Sequence, residues 1–200
     1  MDATNILTEP HAHRRFPEKL AFMLNNPIRR LLSPPDRLIS KLRISSNDVV
    51  VDFGCGPGFF TIPIARVARR AIGVDVSQEM LRRTANYAKK SRVSVETIES
   101  DGNKIDLPDA TVDLCLLVHV YHEVANKSKL LDEFLRILKP SGKLDIVERT
   151  KGGLFAEKLG PPTVNIDGFK QGIDNAGFIT VEIAPYEKDS IFYARKNSLR

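Results

Sequence analysis

Two patches of this chain carry residue types that can do chemistry. The first is Val49-Val50-Val51-Asp52-Phe53-Gly54-Cys55-Gly56-Pro57-Gly58-Phe59-Phe60-Thr61. A β-branched run breaks into alternating glycines and ends where a helix can start. Such a strand, loop and helix present bare backbone N–H groups at a helix N-terminus, and a ligand can lie flat against them. Asp52 adds a fixed acceptor beside the glycines, so the loop suits a ligand with positive charge or several N–H and O–H donors. The second patch is His119-Val120-Tyr121-His122-Glu123, which holds two of the four histidines. Two histidines flanking a tyrosine at a strand end can orient a reacting group or take its proton.

Glycine spacing narrows the ligand. A dinucleotide loop needs G-x-G-x-x-G, whose third glycine lets helix and strand close around a pyrophosphate. Here the glycines are Gly54, Gly56 and Gly58, and the third dinucleotide position is Phe59. A phenylalanine there crowds a pyrophosphate. Asp75 follows the next apolar run and can accept from both hydroxyls of a ribose. Capping the next helix falls instead to Ser77.

The elements that must position these residues alternate. Residues 1–47 read as a helical, proline-punctuated lead-in, with a helix through Leu38 to Leu42 after Pro34-Pro35. Strand 49–53 precedes a helix over 59–69, and strand 71–74 a helix over 77–90. Strand 93–98 leads into a loop with Asp101-Gly102 and Leu107-Pro108. Strand 112–118 leads through His119–Glu123 to a helix over 127–138, which Lys139-Pro140-Ser141-Gly142 stops before strand 143–148. A helix over 168–175 and strands at 178–184 and 190–195 complete the chain. The alternation predicts an α/β fold, a Rossmann-like three-layer sandwich with a mostly parallel seven-stranded sheet. The short link at 185–189 forces the last two strands into an antiparallel hairpin. One domain, 48–197, is expected behind the lead-in.

Bulk properties exclude several classes. At 200 residues, 42% apolar and 28% charged, the chain suits one α/β domain. No apolar run approaches membrane-spanning length, and His11, His13, Arg14 and Arg15 precede no apolar segment of a secretory signal. Cys55 and Cys115 form neither a disulfide framework nor a zinc spacing, and fit a reducing cytoplasm. No metal site is expected. The net charge of +5 is spread along helix faces such as Arg82, Arg83, Lys89 and Lys90, which reads as a solvated surface.

The loop resembles the D-x-G-x-G-x-G signature of class I S-adenosylmethionine-dependent methyltransferases, whose cofactor has no phosphate. Val49–Phe60, Gly73–Leu81, Ser100–Pro108, Val112–Glu123 and Leu135–Glu148 are similar, in order, to that family's motifs. More narrowly, the chain resembles small microbial "type 11" methyltransferases at His11–Glu18 and His122-Glu123-Val124. The resemblance implies S-adenosyl-L-methionine as cofactor and S-adenosyl-L-homocysteine as product. It implies a seat made of Asp52, Gly54, Cys55, Gly56, Pro57, Gly58, Phe59, Asp75, Val76, Met80, Asp101, Gly102 and His119. Asp101 would accept from the adenine amino group, the following N–H would meet a ring nitrogen, and Met80 would pack on the base. Asp145 departs from the family, which has an apolar residue at that strand position.

Methyl transfer is an in-line displacement with the nucleophile roughly 3 Å from the methyl carbon, so positioning supplies most of the rate. A base is needed only for an acceptor that arrives protonated. His119, Tyr121 and His122 are the expected lining of the acceptor pocket, with His13, Arg14 and Phe16 folding over it as a lid. The N/D-P-P-Y/F clamp for a base or amide nitrogen is missing, as is a proline–cysteine pair. These absences favour a small-molecule acceptor over nucleic acid; an RNA or protein methyltransferase is the alternative. With two cysteines, one of them in the loop, arsenite chemistry is disfavoured. An NAD-dependent oxidoreductase and a non-catalytic sensor of the cofactor are the rivals from other classes; Phe59 speaks against the first and His119–His122 against the second. The chain would work as a monomer or homodimer.

Overall fold

The computed structural model describes residues 33–151 and 163–197. Strands β1 (Val49–Phe53), β2 (Arg70–Asp75), β3 (Glu96–Glu99), β4 (Val112–Val118), β5 (Leu138–Arg149), β6 (Phe178–Tyr186) and β7 (Asp189–Lys196) form one sheet, in the order β3-β2-β1-β4-β5-β7-β6. Its first five strands are parallel. β7 runs antiparallel to β5 and to β6, as the short link between β6 and β7 requires. Helices are α1 (Pro35–Ile39), α2 (Thr61–Val67), α3 (Gln78–Ser91), α4 (Lys127–Ile137) and α5 (Ile166–Asn175). A 3-10 turn covers Tyr121–Glu123.

Strand order reverses between β1 and β4, so the crevice beyond their carboxyl ends is where a ligand can enter. Every residue of β1 is buried because helices cover both faces of the sheet. Val49, Val51 and Phe53 join one apolar core with Phe134 and Phe192, while Val50 joins a second with Leu38, Leu42 and Leu116. Each fully buried valine or leucine contributes roughly 1.5–3 kcal/mol. The strand-period alternation thus anchors the loop after Phe53 to both cores.

Element ends differ from the sequence expectation for identifiable reasons. Helix α2 starts at Thr61 rather than 59, because Gly58 is left-handed (φ +83°) and its N–H closes a turn on the Cys55 carbonyl at 3.0 Å. Strand β3 starts at Glu96 rather than 93. Arg92 caps α3 in the left-handed region and Val93 donates back to the Ala88 carbonyl at 3.1 Å, which delays the strand. Strand β5 starts at Leu138, which pairs with Val112. Its register resumes at Leu114 and Lys143, so Lys139–Gly142 loop out as an irregularity inside the strand. Ser77 caps α3 by accepting from the Met80 N–H, as expected.

The loop ahead of β4 is pinned from α4. Glu133 accepts from the Ile105 N–H at 2.7 Å, and Arg136 donates to the carbonyls of Ile105 and Leu107 at 2.9 and 2.8 Å. This bracing holds the segment that follows Asp101-Gly102. No helix among the described residues is long and apolar enough to cross a membrane.

Candidate active site

The three loop glycines all adopt positive φ: +70° at Gly54, +53° at Gly56 and +83° at Gly58. The N–H groups of Gly54 and Cys55 both donate to the Val74 carbonyl, at 2.7 and 3.0 Å, which folds the loop back over β2. A Cβ on Gly58 would lie 3.1 Å from Thr84 of α3, whereas one on Gly56 would meet nothing within 4 Å. The loop is therefore packed at its ends and open at its middle. Asp75 fixes that middle: its Oδ2 accepts from the Gly56 N–H and its Oδ1 from the Ser77 N–H, both at 2.9 Å. Thr84 donates to the Gly56 carbonyl at 2.8 Å.

The remaining expected residues take varied places. Asp52 is buried, and its Oδ2 accepts from the Thr61 hydroxyl at 2.5 Å, so it braces the loop to α2. Burial pushes its carboxyl up to about 7. Phe59 packs in the interior, edge-on to Phe60 at 4.9 Å. Cys55, Pro57 and Met80 are buried and Val76 is exposed. Asp101 is exposed and accepts from the Asn103 backbone N–H at 2.9 Å, a bond that holds its carboxyl below the usual range. The Gly102 N–H donates to Ser100 Oγ at 3.0 Å. His13, Arg14 and Phe16 lie outside the described residues.

The turn after β4 meets the loop directly. Val120 sits against Gly54, where an added Cβ would be 2.4 Å from Val120 Cγ2. His119 has a left-handed backbone (φ +57°), held by its N–H donating to the Val147 carbonyl at 2.9 Å. Its Nε2 lies 3.0 Å from Asp189 Oδ2, and Asp189 also receives Arg149 Nε at 3.4 Å. Burial raises the Asp189 carboxyl, but His119 and Arg149 outweigh it and hold the group below the usual range. Tyr121 turns inward, 8% exposed and edge-on to Phe169 at 5.1 Å, with Lys127 Nζ 5.7 Å from its ring centre. Burial, aided by the Glu148 charge, pushes its phenol up to about 12. His122 Nδ1 lies 3.0 and 3.2 Å from the two carboxylate oxygens of Glu148, whose side chain is fully buried.

Neither Glu148 nor Asp189 was singled out from sequence. The available signal was a charged residue closing the apolar run at Val147-Glu148 and another opening β7. Alternation along β5 puts Glu148 on the Ile146 face and Arg149 on the Val147 face. The two histidine–carboxylate pairs therefore flank the sheet on opposite sides.

A family model described as "Methyltransferase domain" matches residues 51–146. The chain is 29% identical to malonyl-[acyl-carrier protein] O-methyltransferase of Yersinia pestis, over 66% of this chain and 47% of that protein. It is 28% identical to demethylmenaquinone methyltransferase of Lactobacillus johnsonii, over 62% of this chain and 53% of that one. The structure matches that of a SAM-dependent methyltransferase from Aquifex aeolicus with TM-score 0.81 and 26% identity, covering 90% of this chain and 98% of that one. The chain carries a class I S-adenosylmethionine-dependent methyltransferase domain. It spans about half the length of the two curated relatives.

The cofactor of the methyltransferase domain is S-adenosylmethionine. The residues present fit it. The open face at Gly56 leaves room for a ligand to lie on the loop. Asp75, held by the Gly56 and Ser77 N–H groups, sets a carboxylate acceptor beside that open face. Among the described residues no cluster of three or more histidine, cysteine, aspartate or glutamate side chains is arranged to hold a metal ion.

Proposed function

We propose that the chain transfers a methyl group from S-adenosylmethionine to a small molecule held at the turn after β4. The observation that carries this reading is the contact of Val120 with Gly54, which sets the histidine-bearing turn directly against the glycine loop. When bound, S-adenosylmethionine supplies an electrophilic methyl carbon on a sulfonium leaving group. Asp75 would accept from the ribose hydroxyls, Asp101 would accept from the adenine amino group, and the open middle of the loop would seat the rest. His122 would take the acceptor's proton, while His119, held by Asp189, would shape the far wall. The names of the relatives, which include a quinone-precursor and an acyl-carrier methyltransferase, support a small-molecule acceptor. A cytoplasmic location goes with this reading, supported by the two free, buried thiols at Cys55 and Cys115.

Calorimetric titration with S-adenosylhomocysteine and with NADH, followed by labelled methyl transfer to a metabolite pool, tests the proposal. Binding of the first alone and a labelled product are expected; NADH binding, or no product across a broad pool, would overturn it. Asp75→Ala is expected to weaken S-adenosylhomocysteine about 10–100-fold, since hydrogen bonds to a charged group contribute about 1.5–3 kcal/mol. Wild-type affinity in that variant would place the ribose elsewhere. His122→Ala is expected to lower turnover about 10²–10⁴-fold while leaving S-adenosylhomocysteine affinity intact. Unchanged turnover would remove His122 from the chemistry.

A further inference from the structure

We infer that Glu148 is the positioning residue for His122, and that the site takes an acceptor whose nucleophilic O, N or S atom still carries its proton. The inference rests on the methyltransferase reading above and goes on to the form of the acceptor.

Glu148 grips the turn twice. Both its oxygens lie within 3.2 Å of His122 Nδ1, and Oε1 also accepts from the His122 backbone N–H at 3.4 Å. An ionised carboxylate is acceptor-only, so Nδ1 must carry the hydrogen and the lone pair of the neutral ring is on Nε2. Among the described residues Nε2 makes no hydrogen bond. Its nearest carboxylate oxygen, Glu123 Oε1, is 3.8 Å away, beyond bonding distance. A fully buried carboxylate is costly to keep ionised unless a cation can form beside it, and the ring of His122 is the group that can supply one.

The surrounding charges agree. Glu148 faces the ring from β5, Glu123 from the same turn, and Lys127 from α4. Burial lowers the basicity of His122, but the bond to Glu148 and the charges of Glu148 and Glu123 outweigh burial and the opposing Lys127, and hold it above the ordinary histidine value. A base held in this way does nothing for a carboxylic acid acceptor, which is already ionised at neutral pH. It matters for a hydroxyl, a thiol or an ammonium group.

The step balances with what is named. The new bond joins the acceptor heteroatom to the methyl carbon. The carbon–sulfur bond breaks with its electron pair left on sulfur, which becomes a neutral thioether. The acceptor's proton goes to His122 Nε2, forming an imidazolium that Glu148 stabilises and water later deprotonates.

Histidine ring NMR of the full chain, titrated from about pH 5 to pH 9, tests the positioning role without any turnover; His122→Gln assigns the signal. In the wild type the neutral ring is expected to carry its hydrogen on Nδ1. Glu148→Gln is expected to lower its proton affinity at least tenfold, and Glu148→Asp to restore part of it. An unchanged titration in Glu148→Gln, or the hydrogen on Nε2 in the wild type, would overturn the role. Should the glutamine variant not fold, the aspartate variant makes the same comparison. The acceptor class is read from labelled product. Label that survives mild alkali is expected, and label released as methanol marks a methyl ester and overturns the class. A chain that binds no S-adenosylhomocysteine and labels nothing would instead remove the methyltransferase reading, while the titration still decides on Glu148.

Discussion

Gly54→Ala is expected to lower S-adenosylhomocysteine affinity more than 100-fold and to destabilise the fold by about 2–5 kcal/mol, from overpacking and left-handed strain together. Two causes add. The φ of +70° at Gly54 disfavours any side chain. The new Cβ would also lie 2.4 and 2.6 Å from the two Cγ atoms of Val120 and 3.0 Å from its Cβ. Valine is stiff at χ1 and cannot swing aside, so the loop or the turn must move. Either movement separates the glycine loop from the histidine turn. The loop is further tied to β2 through the Val74 carbonyl, which leaves it little slack. Adding Val120→Ala removes the steric part and leaves the backbone strain, so the double variant is expected to recover about tenfold in affinity, or about 1.4 kcal/mol. Calorimetry and thermal melting of the four proteins of this cycle give the coupling. Wild-type affinity in Gly54→Ala, or strictly additive substitutions, would show that the contact does not set the loop.

The glycine loop could be read from the chain because its signals are local. An apolar run, three spaced glycines and the cap at Ser77 each act within a few residues, and β4 has the same ends in sequence and structure. The hairpin was legible because a short link leaves two strands no other pairing. The partners of the histidines were hidden for the opposite reason. Glu148 reaches His122 across 26 residues, and its face depends on the register of β5 after Lys139–Gly142 loop out. A shift of one residue would send Glu148 to the other face of the sheet. Asp189 lies 70 positions from His119 and meets it because β7 pairs with β5. Side-chain direction was equally illegible at Tyr121, which joins the core near Phe169 while its neighbour His122 turns to Glu148. A tyrosine between two histidines gives no local indication of that division.

Asp145, the family departure noted from sequence, is placed in the middle of β5 with 1% exposure and an Oδ2 that is buried without a hydrogen-bond partner among the described residues. It pairs with Leu116 on β4 and Tyr193 on β7, inside the core that contains Val147. Burial pushes its carboxyl from the ordinary 3.8 up to about 7, against the opposing charges of Lys143 and Arg43. A raised carboxyl value costs stability at high pH. Below about pH 4 the group is neutral in both states and adds no penalty. Between about pH 4 and pH 7 the unfolded chain ionises first, so stability falls as pH rises, and above pH 7 the penalty is about 4 kcal/mol. Asp145→Asn removes the titration but leaves a buried amide worth about 1–3 kcal/mol of lost hydrogen bonding. Asp145→Leu removes both. At pH 8 the leucine variant is expected to melt roughly 8–16 °C above the wild type, at about 2–4 °C per kcal/mol for a chain of this size. At pH 4 the titration part of the advantage is expected to vanish, leaving the asparagine variant with the packing difference and the leucine variant with packing plus relief of the unpaired polar group. Asp52 also has a raised carboxyl, so the wild type's own pH dependence mixes two groups. The difference between variant and wild type isolates Asp145. Melting curves across this range decide it: a gap that does not widen with pH would mean that Asp145 is ionised and solvated in the folded protein.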